Sequence, residues 1–289
     1  MTLSELYRQT RQTLRTKEDA DTAAFYAREL VCHVMGLTRE MMLAQQEKKI
    51  SDSTEGEVLR LTYRLLTGEP LAYVLGQWEF YGMQLAVNPN VLIPRDDTCA
   101  VTDLAIQQAL FLDNTPRILD LCTGSGCIGL AVANRIKDAK VTLADISRDA
   151  LQVARKNISA QKLSGRVSCV QVNALEAPPA FLGKFDLIVS NPPYVTTAEM
   201  GELPKSVAEH EPHLALHGGS DGLDFYRAIT QNYTAALKPG GYLCFEFGMN
   251  QGDAVCSLLE ENGFTILERS RDYNDRERAV LARYDRKEA

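Results

Sequence analysis

The chain lacks the residue patterns that would place it in several large functional classes. Its seven cysteines (Cys32, Cys99, Cys122, Cys127, Cys169, Cys244 and Cys256) are odd in number and scattered, with no Cys-x-x-Cys pair. That argues against a disulfide framework or a thiolate metal site and for reduced thiols. Histidines number only four. Three of them, His210, His213 and His217, fall close together, but Pro212 between them interrupts any helix that would align them as ligands. No metal site is expected. No apolar run is long enough to span a bilayer. Residues 1–15 show neither the basic start nor the apolar core and small-residue cleavage site of a secretory signal, so a cytoplasmic protein without membrane association is expected. Basic residues are outnumbered, 31 to 38, giving a net charge of −7. A protein built to grip nucleic-acid backbone concentrates Lys and Arg instead, so no direct nucleic-acid partner is expected and a protein or small-molecule substrate is favoured. Internal repeats and low-complexity segments are absent as well.

What is present is the composition of an ordinary globular protein, 45% hydrophobic and 24% charged over 289 residues. That length favours two domains. Apolar residues recur at helical spacing through Ala23, Ala27, Leu30, Val31 and Val34, with Gly36 as the stop. A second helical pattern through Val58, Leu61, Leu65 and Leu66 ends at Gly68 and Pro70. Residues 1–72 therefore read as a small helical bundle. Residues 73–96, rich in aromatic and β-branched residues broken by Gly82, Asn88, Pro89 and Asn90, read as a β-hairpin linker. Residues 97–289 alternate strand and helix: strands over 117–121, 141–145, 167–172, 185–190, 242–247, 264–268 and 279–282, with helices between most of them. The fold class expected is α/β, a doubly wound, mainly parallel Rossmann-like sheet behind an N-terminal helical bundle.

Two turns in this pattern carry chemistry. The first, Asp120-Leu121-Cys122-Thr123-Gly124-Ser125-Gly126, ends a strand and opens a helix, where small residues and free N–H groups let a ligand approach the main chain. Asp145 follows about twenty residues later at the end of the next strand, where such folds bind ribose hydroxyls. A dinucleotide dehydrogenase would need a Gly-x-Gly-x-x-Gly run from the start of the turn, whereas here it begins late, at Gly124. The stretch resembles the first motif of class I S-adenosylmethionine methyltransferases. That resemblance implies that Cys122, Thr123, Gly124, Ser125 and Gly126 hold the methionine end of S-adenosylmethionine, and Asp145 its ribose. Cys122 stands where that family usually has glycine, which a small side chain tolerates if its backbone angles are ordinary. Asn173, after the third strand, is either an acceptor for the adenine amino group or a plain turn residue.

The second turn is Asn191-Pro192-Pro193-Tyr194, directly after the strand ending at Ser190. Two prolines fix the backbone and remove two N–H donors, leaving carbonyls outward. An Asn side chain, rigid carbonyls and a Tyr ring suit a planar group bearing N–H bonds, such as an exocyclic amine or a carboxamide. An amide nitrogen is a poor nucleophile because its lone pair is shared with the carbonyl. If Asn191 and the Pro192 carbonyl accept its two hydrogens, they align the lone pair and stabilise the charge that develops on nitrogen. Tyr194 would stack on the amide plane. No catalytic histidine is needed, because the proton becomes acidic only after methylation. Asn191 borders the cofactor region as well.

Asn-Pro-Pro-Tyr occurs both in glutamine methyltransferases and in adenine-N6 methyltransferases, so other segments decide. Gly68-Glu69-Pro70-Leu71-Ala72-Tyr73, Gly76-Gln77-Trp78-Glu79-Phe80-Tyr81-Gly82 and Leu92-Ile93-Pro94-Arg95 closely resemble the bacterial peptide chain release factor glutamine methyltransferase family. So do Glu211-Pro212-His213-Leu214-Ala215-Leu216, Gly218-Gly219-Ser220-Asp221-Gly222-Leu223-Asp224-Phe225-Tyr226, and Gln251-Gly252. The resemblance implies N5-methylation of the glutamine in the Gly-Gly-Gln tripeptide of release factors by a monomeric enzyme, with S-adenosylhomocysteine as by-product. It also implies that Phe80 caps the glutamine pocket opposite Tyr194; a second reading, compatible with the first, makes Phe80 an interdomain core aromatic. The family's Ile-Pro-Arg-Pro-x-Thr-Glu is replaced by Ile93-Pro94-Arg95-Asp96-Asp97-Thr98-Cys99, without the second Pro and the Glu. An adenine-N6 nucleic-acid methyltransferase, a ribosomal-protein glutamine methyltransferase and a non-catalytic binder are the alternative readings. The last would be expected to show a damaged first turn or a lost Asn191, and both are intact.

Overall fold

The computed structural model describes residues 1–112 and 115–285. These form two compact units, Met1–Gly76 with Lys205–His210, and Gln77–Pro204 with Glu211 onward.

The first unit contains helices α1 (Leu3–Leu14), α2 (Ala20–Met35), α3 (Arg39–Ala44), α4 (Asp52–Leu66) and α5 (Leu71–Leu75). Each of the first four opens on a side-chain cap: Thr2 with Glu5 as a capping box, then Asp19, Thr38 and Ser51. Gly36 closes α2 in the left-handed conformation. Leu3, Leu6, Val31, Met42 and Val58 share one core. The short helix Lys205–Ala208 belongs to this unit although it lies far along the chain. The unit thus ends later than residue 72 and takes in a segment that no helical periodicity announced.

The second unit begins with the hairpin β1 (Gln77–Phe80) and β2 (Met83–Ala86), followed by α6 (Cys99–Leu110). The hairpin is welded into this unit. Asn157 accepts from the Ala86 N–H and donates to its carbonyl, at 2.6 and 3.0 Å, and Phe80, Met83 and Leu85 join the core beneath α6. Next come β3 (Arg117–Leu121), α7 (Cys127–Arg135), β4 (Lys140–Asp145), α8 (Arg148–Ala160), β5 (Val167–Gln171) and β6 (Phe185–Ser190). The last elements are α10 (Asp224–Asn232, counting Lys205–Ala208 as α9), β7 (Leu237–Glu246), α11 (Gly252–Glu261), β8 (Phe264–Arg271) and β9 (Glu277–Tyr284).

The sheet order is β5-β4-β3-β6-β7-β9-β8, with β9 antiparallel to both of its neighbours and the other pairings parallel. Alternating residues fill the two faces. Ile118, Leu187, Val189 and Cys244 enter one core, while Leu119, Leu121, Ile188, Leu243 and Phe245 enter the other. Strand order reverses between β3 and β6, and ligands of such sheets bind beyond the carboxyl ends of the strands at that point. Both turns singled out in the sequence leave the sheet there.

Candidate active site

The turn after β3 is built around a buried carboxylate. Asp120 Oδ2 accepts from the Thr123 hydroxyl at 2.6 Å and from the Gly129 N–H at 2.8 Å. Asp120 is fully buried and its Oδ1 has no hydrogen-bond partner. Burial therefore pushes its pKa up to about 7, against the pull of those two donors. The Thr123 N–H bonds to the Ala144 carbonyl at 3.0 Å, tying the turn to β4. Gly124 and Gly126 take left-handed angles, φ +54° and +86°. A side chain at Gly129 would strike Leu143 at 2.3 Å, so only glycine lets α7 lie this close to the sheet. Cys122 does not have the ordinary angles expected of it. Its φ is +61°, a conformation that costs a non-glycine residue about 1–2 kcal/mol.

Asp145 closes the other side of this turn. Its Oδ2 accepts from the Gly124 N–H and its Oδ1 from the Ser147 N–H, both at 2.9 Å. Burial raises its pKa while these backbone donors oppose the rise. Asp145 lines a cavity of about 1120 Å³, measured out to its open mouth, together with Cys122, Thr123, Gly124 and Ser125. The Ser125 hydroxyl is buried without a hydrogen-bond partner. A free hydroxyl, a carboxylate and an open glycine backbone on one wall fit a polar, nucleoside-sized ligand.

The turn after β6 meets the same cavity. Asn191 and Pro193 line it, as do Thr98 and Arg95. Asn191 Nδ2 donates to Thr98 Oγ1 at 3.3 Å. Pro192 is buried behind the wall, and Tyr194, half-buried, packs on the Phe245 side of the sheet rather than on the cavity lining. The segments whose sequence looked distinctive clamp this turn. Val195 and residues 216–218 exchange backbone bonds of 2.8 and 2.9 Å, and Gln251 donates to the Tyr194 carbonyl at 3.0 Å. Gly218 and Gly222 lie so close that a Cβ there would sit 2.6 Å from the Pro193 oxygen and 2.3 Å from the Tyr194 oxygen. Glu211, 5% exposed, accepts from the Ile93 N–H at 3.1 Å and pairs with Arg95, joining two more of the distinctive segments at the cavity wall.

Comparison with known proteins decides the family. Residues 102–219 match the model of the Methyltransferase small domain, and residues 5–76 that of the PrmC N-terminal domain. The chain is 36% identical over 253 residues to the release factor glutamine methyltransferase of Clostridium acetobutylicum, covering 88% of each chain. To that of Chlorobaculum tepidum it is 40% identical over 258 residues, covering 87% of each. The chain belongs to the release factor glutamine methyltransferase family. A methyltransferase structure from Pyrococcus furiosus matches the fold with a TM-score of 0.51 at 17% identity, over 78% of this chain and 98% of that one.

Within this methyltransferase the residues named from sequence separate into two groups. Cys122, Thr123, Gly124, Ser125, Asp145, Asn173, Asn191 and Pro193 come together on one cavity. Gly126 sits behind them, against Leu143 and Ala154. Asn173 is held as a turn residue, its Oδ1 accepting from the Leu175 N–H at 3.0 Å, and it lines the cavity. Phe80 does not reach the cavity. It is 3% exposed in the core with Met83 and Leu85, and the chain after the hairpin lines the cavity instead, through Val91, Leu92 and Pro94. Of the three histidines, His217 bonds Thr197 Oγ1 at 2.9 Å, and His213 begins a 3-10 turn after Pro212. Two residues went unread, Thr98 and Glu246, although a charged residue inside the apolar run 242–247 was a signal. Among the described residues no helix is long and apolar enough to cross a membrane.

Proposed function

We propose that this methyltransferase transfers a methyl group from S-adenosylmethionine to the side-chain amide nitrogen of the glutamine in the Gly-Gly-Gln tripeptide of peptide chain release factors. The observation that carries this reading is Asn191, tethered through Nδ2 to Thr98 on the wall of a cavity that also holds the turn after β3. Bound there, S-adenosylmethionine supplies an electrophilic methyl on a positively charged sulfur. Thr123, Gly124, Ser125 and Asp145 would hold it, with Asn173 near the base.

The chain's part in catalysis is to present the amide. Asn191 Oδ1 accepts an amide hydrogen and helps turn the nitrogen lone pair toward the methyl. This acceptor strengthens as positive charge grows on nitrogen, so it favours the transition state over the bound substrate. The prolines keep Asn191 from relaxing, and the Gln251 and Gly218 clamps hold the prolines. The nitrogen sheds its proton to water after transfer. The helical unit is assigned to recognition of the release factor body. On α4, Leu59 and Tyr63 lie one turn apart and are 38% and 68% exposed, a surface for a protein partner.

Incubation of the protein with methyl-labelled S-adenosylmethionine and a bacterial release factor tests the reading. One methyl on the tripeptide glutamine is expected, and none when that glutamine is changed to glutamate. Equal labelling of both proteins, or labelling of adenine in duplex DNA instead, would overturn it.

A further inference from the structure

An Asn amide looks nearly symmetric, yet its two ends are opposites: one oxygen that accepts and one NH₂ that donates. A site that reads a substrate NH₂ needs the oxygen facing it, since the reversed amide would set donor against donor. Asn191 stands at the end of β6, and the pairing of Ser190 with Phe245 places Glu246 of β7 alongside it. Glu246 is 1% exposed and does not line the cavity, and its Oε2 has no hydrogen-bond partner. Thr98, 2% exposed, holds the Asn191 amide, its hydroxyl oxygen accepting from Asn191 Nδ2 at 3.3 Å. Burial raises the Glu246 pKa to about 7, with the neighbouring Thr98, Arg278 and Asn191 side chains opposing the rise and the charge of Asp97 adding to it. Arg278 is itself fixed, bonded to Asp97 at 2.8 Å and to Asp272 at 3.0 Å.

We infer that Thr98 and Glu246 are positioning residues that fix which way round the Asn191 amide sits. A hydroxyl has a single proton. If Thr98 gives that proton to the Glu246 carboxylate, its lone pairs can only accept, and the group of Asn191 that meets it must be the NH₂. The oxygen is then the end left to the cavity. In its ionised form Glu246 is the right terminus for this chain of bonds, because it then accepts without offering a competing donor. This inference rests on the amide-reading role proposed above for Asn191.

Two variants at one position separate orientation from packing. Thr98→Val keeps the shape and removes the hydroxyl, whereas Thr98→Ser keeps the hydroxyl. With both substrates saturating, Thr98→Val is expected to lower the single-turnover rate about 10- to 100-fold, as small misplacements at reacting centres do, and Thr98→Ser by no more than about 3-fold. Binding of S-adenosylmethionine should stay within about 2-fold in each, which also reports that the fold is intact. Glu246→Gln brings a donor to the end of the chain of bonds, and about a 3- to 10-fold loss is expected. Val and Ser variants that fall alike, or a Val variant at the wild-type rate, would overturn the inference. The ¹⁵N-labelled side-chain amide of Asn191, assigned through its loss in Asn191→Ala, gives a reading free of the substrate. Its protons should exchange slowly in the wild type and Thr98→Ser and rapidly in Thr98→Val. If that pattern holds while no release factor glutamine is methylated, the substrate reading fails and the orientation device stands. If glutamine is methylated but exchange is unchanged in Thr98→Val, the device fails and the substrate reading stands.

Discussion

The turns after β3 and β6 leave neighbouring strands and reach the same cavity, yet they are made in opposite ways. The first uses small residues and left-handed angles at Cys122, Gly124 and Gly126, and its fastenings are side-chain oxygens of Asp120 and Asp145 taking backbone N–H groups. The second uses prolines, and its fastenings come from backbone and amide groups of distant segments, at Leu216, Gly218 and Gln251. A turn that must let a ligand approach its backbone needs residues without bulk. A turn that must hold an acceptor still needs residues without freedom. Beneath each lies a buried carboxylate with one unpartnered oxygen, Asp120 under the first and Glu246 under the second.

If the turns divide labour in this way, damage to the second should strike the rate and damage to the first the cofactor. Asn191→Ala is expected to lower the single-turnover rate by about 10² to 10³ while the cofactor dissociation constant stays within about 3-fold. Gly218→Ala tests the clamp rather than the acceptor. Its Cβ meets the Pro193 oxygen, so a loss of about 10- to 100-fold in kcat with normal cofactor binding should appear in the same assays. Asp145→Ala should do the reverse, weakening the cofactor by on the order of 1–3 kcal/mol in a calorimetric titration with little change in rate at saturation. Matching profiles for Asn191→Ala and Asp145→Ala would end the comparison.

The two buried carboxylates set a pH dependence. Each titrates near pH 7 in the folded chain, above its ordinary value near 4, so the folded form holds more protons between about pH 4 and 7. Their contribution to stability is therefore greatest below pH 4 and falls as pH rises to 7. Asp120→Asn and Glu246→Gln should each flatten the dependence of Tm on pH across that window. A slope unchanged in both would show that neither group titrates there. The smallest effect is expected at Cys122→Gly. Relief of left-handed strain there, about 1–2 kcal/mol, is about half offset by the freedom glycine gains on unfolding, about 0.5–1 kcal/mol, leaving a rise in Tm of a few degrees at most. A marked fall in Tm would mean that the thiol's packing outweighs the strain.

Much of this arrangement was legible because it is local. The strand-turn-helix-strand over 117–145 is written in apolar runs and glycines, and the proline pair after Ser190 announces a stiff turn at a strand end. The cavity could be read from those two together with the rule for strand-order reversal. What escaped was set by tertiary geometry. An aromatic in a hairpin signals burial but not the space it fills, and Phe80 went to the core. Nothing in the identity of Cys122 reveals its positive φ. Thr98, Asn191 and Glu246 come from three separate segments, and no periodicity relates them. The same is true of Lys205–His210, a short polar stretch that reads as loop.

That last segment bears on how the chain can be made and taken apart. The helical unit is discontinuous: its final piece is translated only after β6 and the proline turn. A nascent chain emerging N-terminus first cannot complete that unit while its early helices leave the ribosome, and must hold them unfinished until residue 210 is out. Cutting at residue 72 would strand the Lys205–His210 piece on the remaining fragment, so a clean genetic separation of the two units also requires replacing 205–210 with a short polar bridge.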